Sequence, residues 1–316
     1  MVKGGVFAIA DEGVIYMYDS FINQSYSLQG GLIYAINNFF EKSYFTNVTF
    51  SFADGDVDIM SLSNTDLTFE SCYFLKNSNK MGTIIESTIT IINSKILEHS
   101  GNLFFCYYFS RIRIENSILI GVKGANEESM YFEESVLEIK NSLFKDIENK
   151  KTTSSISSGV LSKFYITNGT FLSYKFNCFS IKNSDFFANL SLFNNTNYEK
   201  QANLKPGEFG TIFLDSCLIQ INSTLFIGNK NVMKGAGISI ISSPNNKEIS
   251  NFLLSANYFY QNEVTLYGGS VYLEDNIGRI SFCNFSDNSA QYGGAVYYNN
   301  DKSRGYFFLN HSLFIY

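Results

Sequence analysis

Proline, tryptophan and histidine are nearly missing from this chain. It has two Pro, two His and no Trp in 316 residues. With so little proline, and no Pro/Ser/Gly tract between two halves, no interdomain linker is visible. His99 and His311, without any Gly-x-Ser-x-Gly, give a Ser-His-Asp arrangement nothing to stand on. No run reaches the ~18 apolar residues of a spanning helix. Met1-Val-Lys-Gly-Gly has no apolar signal-peptide core behind it. The net charge of −6 is unclustered and no basic stripe is present, which argues against nucleic acid. Five cysteines (Cys72, Cys106, Cys178, Cys217, Cys283) form no Cys-x-x-Cys, and an odd number cannot all pair internally. Each stands among apolar neighbours and reads as a small buried hydrophobe, with disulfides between neighbouring turns the minority reading.

What is present is hydrophobic residues at 45%, ample for a core, with 31 Phe and 21 Tyr. It is also repetitive. YGGAVYY at 292–298 follows Phe285-x-x-Asn288, and YGGSVYLED at 267–275 follows Phe259-x-x-Asn262. GAGISIIS at 235–242 follows Phe226 and Asn229, QGGLIYAINN at 29–38 follows Phe21, and GGVFAIAD opens the chain at 4–11. Looser copies carry a single glycine at Gly82, Gly159 and Gly210. Spacings such as Gly5 to Gly31 and Gly269 to Gly294 set a period of about 25 residues. One continuous domain over 1–316 is expected, since each unit of a repeat array packs only on its neighbours. Loops are expected to bulge near 149–158, 194–208 and 243–248.

Inside the units the period is two, not 3.6. LTFESCYF (67–74), RIRIENSILI (111–120) and VLEIKNSLF (136–144) alternate in the manner of strands, and no segment reads as a helix. A polar-Ser phrase recurs with its Ser at 43, 71, 94, 117 and 142. Three short strands per unit predict an all-β, three-sided parallel β-helix of roughly 12 coils, stacked at about 4.8 Å. The glycines suit bends that need φ > 0: Gly4, Gly5, Gly30, Gly31, Gly82, Gly210, Gly235, Gly237, Gly268, Gly269, Gly293 and Gly294. Asn229, Asn262 and Asn288 are expected at the preceding bend, in left-handed conformation and bonded to their own backbone. After Gly293-Gly294 the inward side chains are either Ala295 and Tyr297 or Val296 and Tyr298.

The phrase Phe-x-x-Asn followed by Gly-Gly-[Ala/Ser/Leu]-[Val/Ile]-Tyr resembles the repeat of polymorphic outer-membrane proteins and related surface adhesins, including large protist surface proteins. The matches are 285–297 and 259–272, with weaker ones at 226–239 and 21–34; from about 83 to 209 the period persists without Gly-Gly. The resemblance implies a right-handed parallel β-helix of the pectin-lyase-like type, displayed outside the cell. It marks turn geometry and specifies function poorly.

Pectin-lyase-like folds include polysaccharide lyases and hydrolases. Asn64-Thr65-Asp66 coincides with a polygalacturonase motif, but that family's Asp-Asp, Gly-His-Gly and Arg-Ile-Lys are missing, and Arg111-Ile112-Arg113 is a partial echo. Asp54, Asp56 and Asp58 alternate in DGDVD, so on one strand they would share a face and could hold Ca²⁺; the plainer reading is a solvated acidic rim. No other cofactor is implied. Eight Asn-x-Ser/Thr sequons lie at Asn23, Asn47, Asn168, Asn189, Asn194, Asn222, Asn284 and Asn310. They look like those of a secreted glycoprotein, although Asn, Ser and Thr are common enough here that most would arise by chance.

The expectation is a non-catalytic, structural or adhesive segment of an extracellular or cell-surface protein, meeting glycans or other protein subunits through its sheets. A polysaccharide-active enzyme and a self-assembling filament subunit are the alternatives. The chain begins and ends inside a repeat without a cap, so further coils or end-to-end partners are expected. Secretion signals and any membrane anchor would then lie in segments outside it.

Overall fold

The computed structural model describes residues 7–10, 13–24, 26–27, 33–51, 54–55, 58–78, 80–124, 129–149, 156–174, 177–195, 207–230, 232–243, 248–302 and 305–315. Every regular element among them is a strand, and every strand pairing is parallel. The chain forms two compact units, Met1–Lys151 and Thr152–Tyr316. Each winds as a β-solenoid with three sides.

One coil shows the plan. Lys80–Ile85 lies on the first side, Thr88–Ile92 on the second and Lys95–Leu97 on the third. The next coil repeats it with Phe104–Tyr107, Arg111–Glu115 and Ile118–Ile120. Equivalent residues stack: Ile84 on Cys106, Ile91 on Ile114, Ile96 on Leu119. Alternate side chains therefore enter the core and alternate ones face out, which is the period of two. The third side of the first unit carries six described strands from Phe21–Asn23 to Leu143–Asn149; that of the second carries six from Thr170–Tyr174 to Leu313–Ile315. Ile33–Thr46 and Asp58–Glu70 each run unbroken from first side to second, with a register shift between Asn38 and Ser43 where they bend.

Phenylalanines fill the core in rows. In the second unit Phe171, Phe193, Phe226, Phe259, Phe285 and Phe314 stack with centroids 4.8–5.1 Å apart and ring planes within 9° of parallel. The spacing is that of the coils, so each ring covers the one below.

The corners explain the polar phrases. Between second and third sides every coil places one residue at φ 45–55°: Asp19, Asn47, Ser71, Asn93, Asn116 and Asn141 in the first unit, and Asn168, Leu190, Ser223, Ala256, Phe282 and His311 in the second. Where the following residue is Ser94, Ser117, Ser142 or Ser191, its buried hydroxyl accepts from a backbone N–H of the preceding coil. Cys72 N–H donates to Ser94 Oγ at 2.9 Å, Ser94 N–H to Ser117 Oγ at 3.1 Å, and Ser117 N–H to Ser142 Oγ at 3.1 Å. Each hydroxyl then donates to the carbonyl two residues back, as Ser94 does to Ile92 at 2.7 Å. Only part of the predicted serine phrase is this row. Ser71 is itself the left-handed residue, with Cys72 in the row position, and buried Ser43 accepts from Ile15 N–H.

The asparagines differ from expectation in the same way. The left-handed residues are Gly228, Gln261 and Asp287, each one position before the asparagine. Asn229, Asn262 and Asn288 are buried and bond across coils. Asn229 N–H donates to Asn262 Oδ1 at 3.1 Å, and Asn262 N–H to Asn288 Oδ1 at 3.0 Å. The buried amide satisfies neighbouring backbone, which an exposed left-handed asparagine could not do.

The two glycines of a pair have different tasks. Gly268 and Gly293 both sit at φ +63° and Gly235 at +49°, the strained region for L-residues. Gly269 is needed for room: a Cβ there would collide with the carbonyl oxygen of Gly294 on the next coil, and one on Gly210 with that of Gly235. Gly237 is tight against Ser270 O (3.1 Å) and Phe259 (3.2 Å). Gly82 does not bend the chain but lies within Lys80–Ile85, its Cβ position 3.1 Å from Ile84. Gly4, Gly5, Gly30 and Gly31 lie outside the described residues. Val296 and Tyr298 pair with buried Val271 and Leu273, so they form the inward set. Of the expected loops, 150–155, 196–206 and 244–247 lie outside the described residues, while their flanks belong to strands such as Leu143–Asn149 and Ser157–Val160.

All five cysteines are buried free thiols. Cys72, Cys217 and Cys283 occupy the inward corner position otherwise taken by serine, and donate to the carbonyl two residues back at 3.4, 3.3 and 3.4 Å. Burial pushes the Cys72 thiol up to about 11 and that of Cys217 to about 12; Cys106 and Cys178 lie well above the ordinary range.

Candidate ligand surface

In the second unit a short parallel sheet precedes the glycine corner: Gly207–Phe209, Val232–Lys234 and Val264–Tyr267, extended by a bridge from Tyr267 to Tyr292. Its register aligns Phe209, Lys234, Tyr267 and Tyr292 in one column. Beyond the glycines, the outward positions of the first side align Phe213, Ser239, Tyr272 and Tyr297 in a second column. The left-handed glycines fold these columns against each other. Each Tyr-Gly-Gly-x-Val-Tyr phrase thus gives one tyrosine to each side of the corner.

The result is an aromatic corner. Tyr267 lies 4.7 Å from Tyr297 and 5.3 Å from Tyr292, and Tyr272 stacks on Tyr297 at 5.9 Å with planes 2° apart. Phe209 stacks on Phe213 at 4.2 Å. Lys234 Nζ stands 5.1 Å from the ring centres of both Phe209 and Tyr272, and is paired with Glu208 at 3.2 Å. Tyr272 O–H donates to Glu274 Oε2 at 2.5 Å. Burial, and then that bond to a carboxylate, drive the Tyr272 phenol far above its ordinary range. Tyr272 is buried beneath the others, whereas Tyr292 is 50% exposed and Tyr267, Tyr297 and Phe209 are partly so. The sequence offered a signal for this surface, the tyrosine at each end of the repeated phrase. It does not reveal that the two meet.

A second feature of the same unit is an open groove of about 320 Å³ at the corner between first and second sides. Asn183, Asp185, Cys217, Glu248 and Asn251 are among its walls. Asp185 is paired with Lys163 at 3.7 Å.

Of the acidic triplet, Asp54 belongs to the two-residue strand Asp54–Gly55 and Asp58 begins another strand, Asp58–Glu70; Asp56 lies outside the described residues. Asp58 is buried and its carboxylate meets Lys80 Nζ at 2.9 Å, a cation already in place. Among the described residues no three His, Cys, Asp or Glu side chains converge as a metal site. Asn64-Thr65-Asp66 is a corner: Asn64 is left-handed at φ 53°, Thr65 N–H donates to Ser87 Oγ at 2.9 Å, and Asp66 pairs with Lys42 at 4.0 Å.

The sequons fall into groups. Asn47 and Asn168 are exposed left-handed corner residues. Asn189, Asn222 and Asn310 end second-side strands. Each is followed by a left-handed residue and then by Ser191, Thr224 or Ser312, whose hydroxyl donates to the Asn carbonyl at 2.9, 2.9 and 3.1 Å. These three sequons are the corner pattern itself. Asn23 is exposed, and Asn194 and Asn284 are half-buried on third-side strands.

No family model matches this chain, and neither does any curated protein or solved structure. No helix among the described residues is long and apolar enough to cross a membrane.

Proposed function

We propose that the chain is a non-catalytic binding scaffold of an extracellular or cell-surface protein, which meets its partners through outward side-chain columns. The aromatic corner carries this reading. Three coils contribute partly exposed rings to one surface, Phe209 from one, Tyr267 from another and Tyr292 with Tyr297 from the third, while the adjacent carboxylate of Glu274 is engaged by Tyr272 and that of Asp215 by Ser243 at 2.9 and 2.5 Å. Partly exposed clustered aromatics are costly to leave in water and typical of recognition surfaces. The solenoid provides the rigid support such a surface needs. The resemblance of its Gly-Gly phrases to those of surface adhesins supports the same location and use. Incubation with plant, fungal and bacterial polysaccharides and with a panel of surface proteins tests it: retention of a partner with polymer length unchanged is expected, and shortening of any polymer overturns it.

One observation favours a polysaccharide-active enzyme as second reading, the groove whose walls include Asp185 and Glu248. Two carboxylates across an open groove are the minimum a glycosidase requires. Under that reading Glu248→Gln would abolish polymer cleavage and leave the fold intact.

A further inference from the structure

We infer that the aromatic corner takes a neutral oligosaccharide chain lying along the coil axis, across Tyr267, Tyr292 and Tyr297. This rests on the binding reading above and names its ligand.

The shape of the site selects an extended ligand. The two columns run from coil to coil, perpendicular to the strands, and four coils span about 14 Å at the spacing of stacked strands. Tyr267 stacks on Tyr292 of the next coil and lies 4.7 Å from Tyr297 across the corner, so the three rings make one continuous aromatic patch against which a chain of flat rings can lie.

The charges select a neutral one. Lys234, the cation of the corner, is compensated by Glu208 at 3.2 Å and lies over two rings. Phosphates or uronates gain no free positive charge there, and Glu274 would repel them.

The hydrogen-bonding groups separate a sugar from a proline-rich peptide, the other ligand that favours tyrosine surfaces. Glu274 has acceptor capacity beyond its bond from Tyr272, and a carboxylate accepts only. A ligand that displaces water from it must supply donors. Polyproline segments lack backbone N–H groups. A sugar ring has hydroxyl donors at its rim and C–H groups on its faces, and so matches carboxylate and phenol ring together.

The test is calorimetric titration of the full chain with neutral glucan, mannan, galactan and chitin oligomers, an oligogalacturonate and a proline-rich peptide. At least one neutral oligomer is expected to bind, more tightly as its length rises from one ring to several. Tyr292→Ala, at a half-exposed position, should weaken it at least tenfold. Tyr292→Phe should restore it to within about threefold, because the ring face carries the contact. Tyr165→Ala on the second side, where Tyr165 stacks on Phe187 at 5.2 Å, should leave it unchanged. Binding of the oligogalacturonate or peptide alone, no binding at all, or neutral binding indifferent to Tyr292→Ala overturns the inference. Those results leave the scaffold reading standing if another partner is retained; cleavage of an oligomer overturns the scaffold reading instead.

Discussion

Asn262 Oδ1 accepts from both the backbone N–H of Asn229 at 3.1 Å and its side-chain amide at 2.8 Å, while Asn262 Nδ2 donates to Phe226 O at 3.0 Å. One buried side chain thus serves backbone groups at a corner where strand pairing cannot reach. Asn262→Ala leaves at least one buried N–H and one buried C=O without partners, each worth about 1–3 kcal/mol. A loss of roughly 3 kcal/mol is expected in urea unfolding. A loss below about 1 kcal/mol would show that water replaces the amide.

The left-handed corner positions predict an opposite effect. Leu190 holds φ 51° with its side chain 58% exposed, a conformation that costs an L-residue about 1–2 kcal/mol and asparagine less. Leu190→Asn should raise stability by about 1 kcal/mol and the melting temperature by about 2–4 °C. An unchanged or lower melting temperature would contradict it.

Phe259 sits inside the six-ring stack, 4.9 Å from Phe226 and 4.8 Å from Phe285. Phe259→Ala should cost about 3–5 kcal/mol. Because the rings touch, the double change with Phe226→Ala should depart from additivity by about 0.5–1.5 kcal/mol. Strict additivity would mean that the rings do not interact.

The buried thiols set an alkaline limit. Their folded-state values lie above the ordinary 9.0, at about 11 for Cys72 and about 12 for Cys217. Protonated thiols therefore impose no penalty below pH 9. Above it the unfolded chain ionises first, and stability falls by about 1.4 kcal/mol per pH unit for each thiol until the folded value is passed. Denaturant midpoints should be flat to pH 8.5 and fall between pH 9 and 11. Small thiol reagents should label the native protein slowly at pH 8; rapid labelling of three or more cysteines would refute the burial.

The period, the parallel sheets and the phenylalanine rows were legible because one rule writes them all: the same side-chain type recurs wherever coils stack, as at Phe226, Phe259 and Phe285. The corners were misread by one residue. Composition marks Gln261-Asn262 as polar and bent, but both residues suit a bend, and only the neighbouring coil decides which side chain enters. The tyrosine corner was hidden because Lys234, Tyr267 and Tyr292 become neighbours only through registers that no local pattern encodes.

The equal registers on either side of each glycine pair also bear on the gene. Gly269 faces Gly294 as Tyr272 faces Tyr297, so removing 269–293 would join Gly268 to Gly294 and restore Tyr-Gly-Gly-Ala-Val-Tyr without a scar. On the first side Val296, Tyr297 and Tyr298 would take the places of Val271, Tyr272 and Leu273. A cut that is not a whole coil would instead turn every following core residue outward or leave a corner without its left-handed residue. Recombination between such repeats is therefore quantised: the register is kept only when the length changes in steps of one coil, and this particular step removes one pair of tyrosines from the corner.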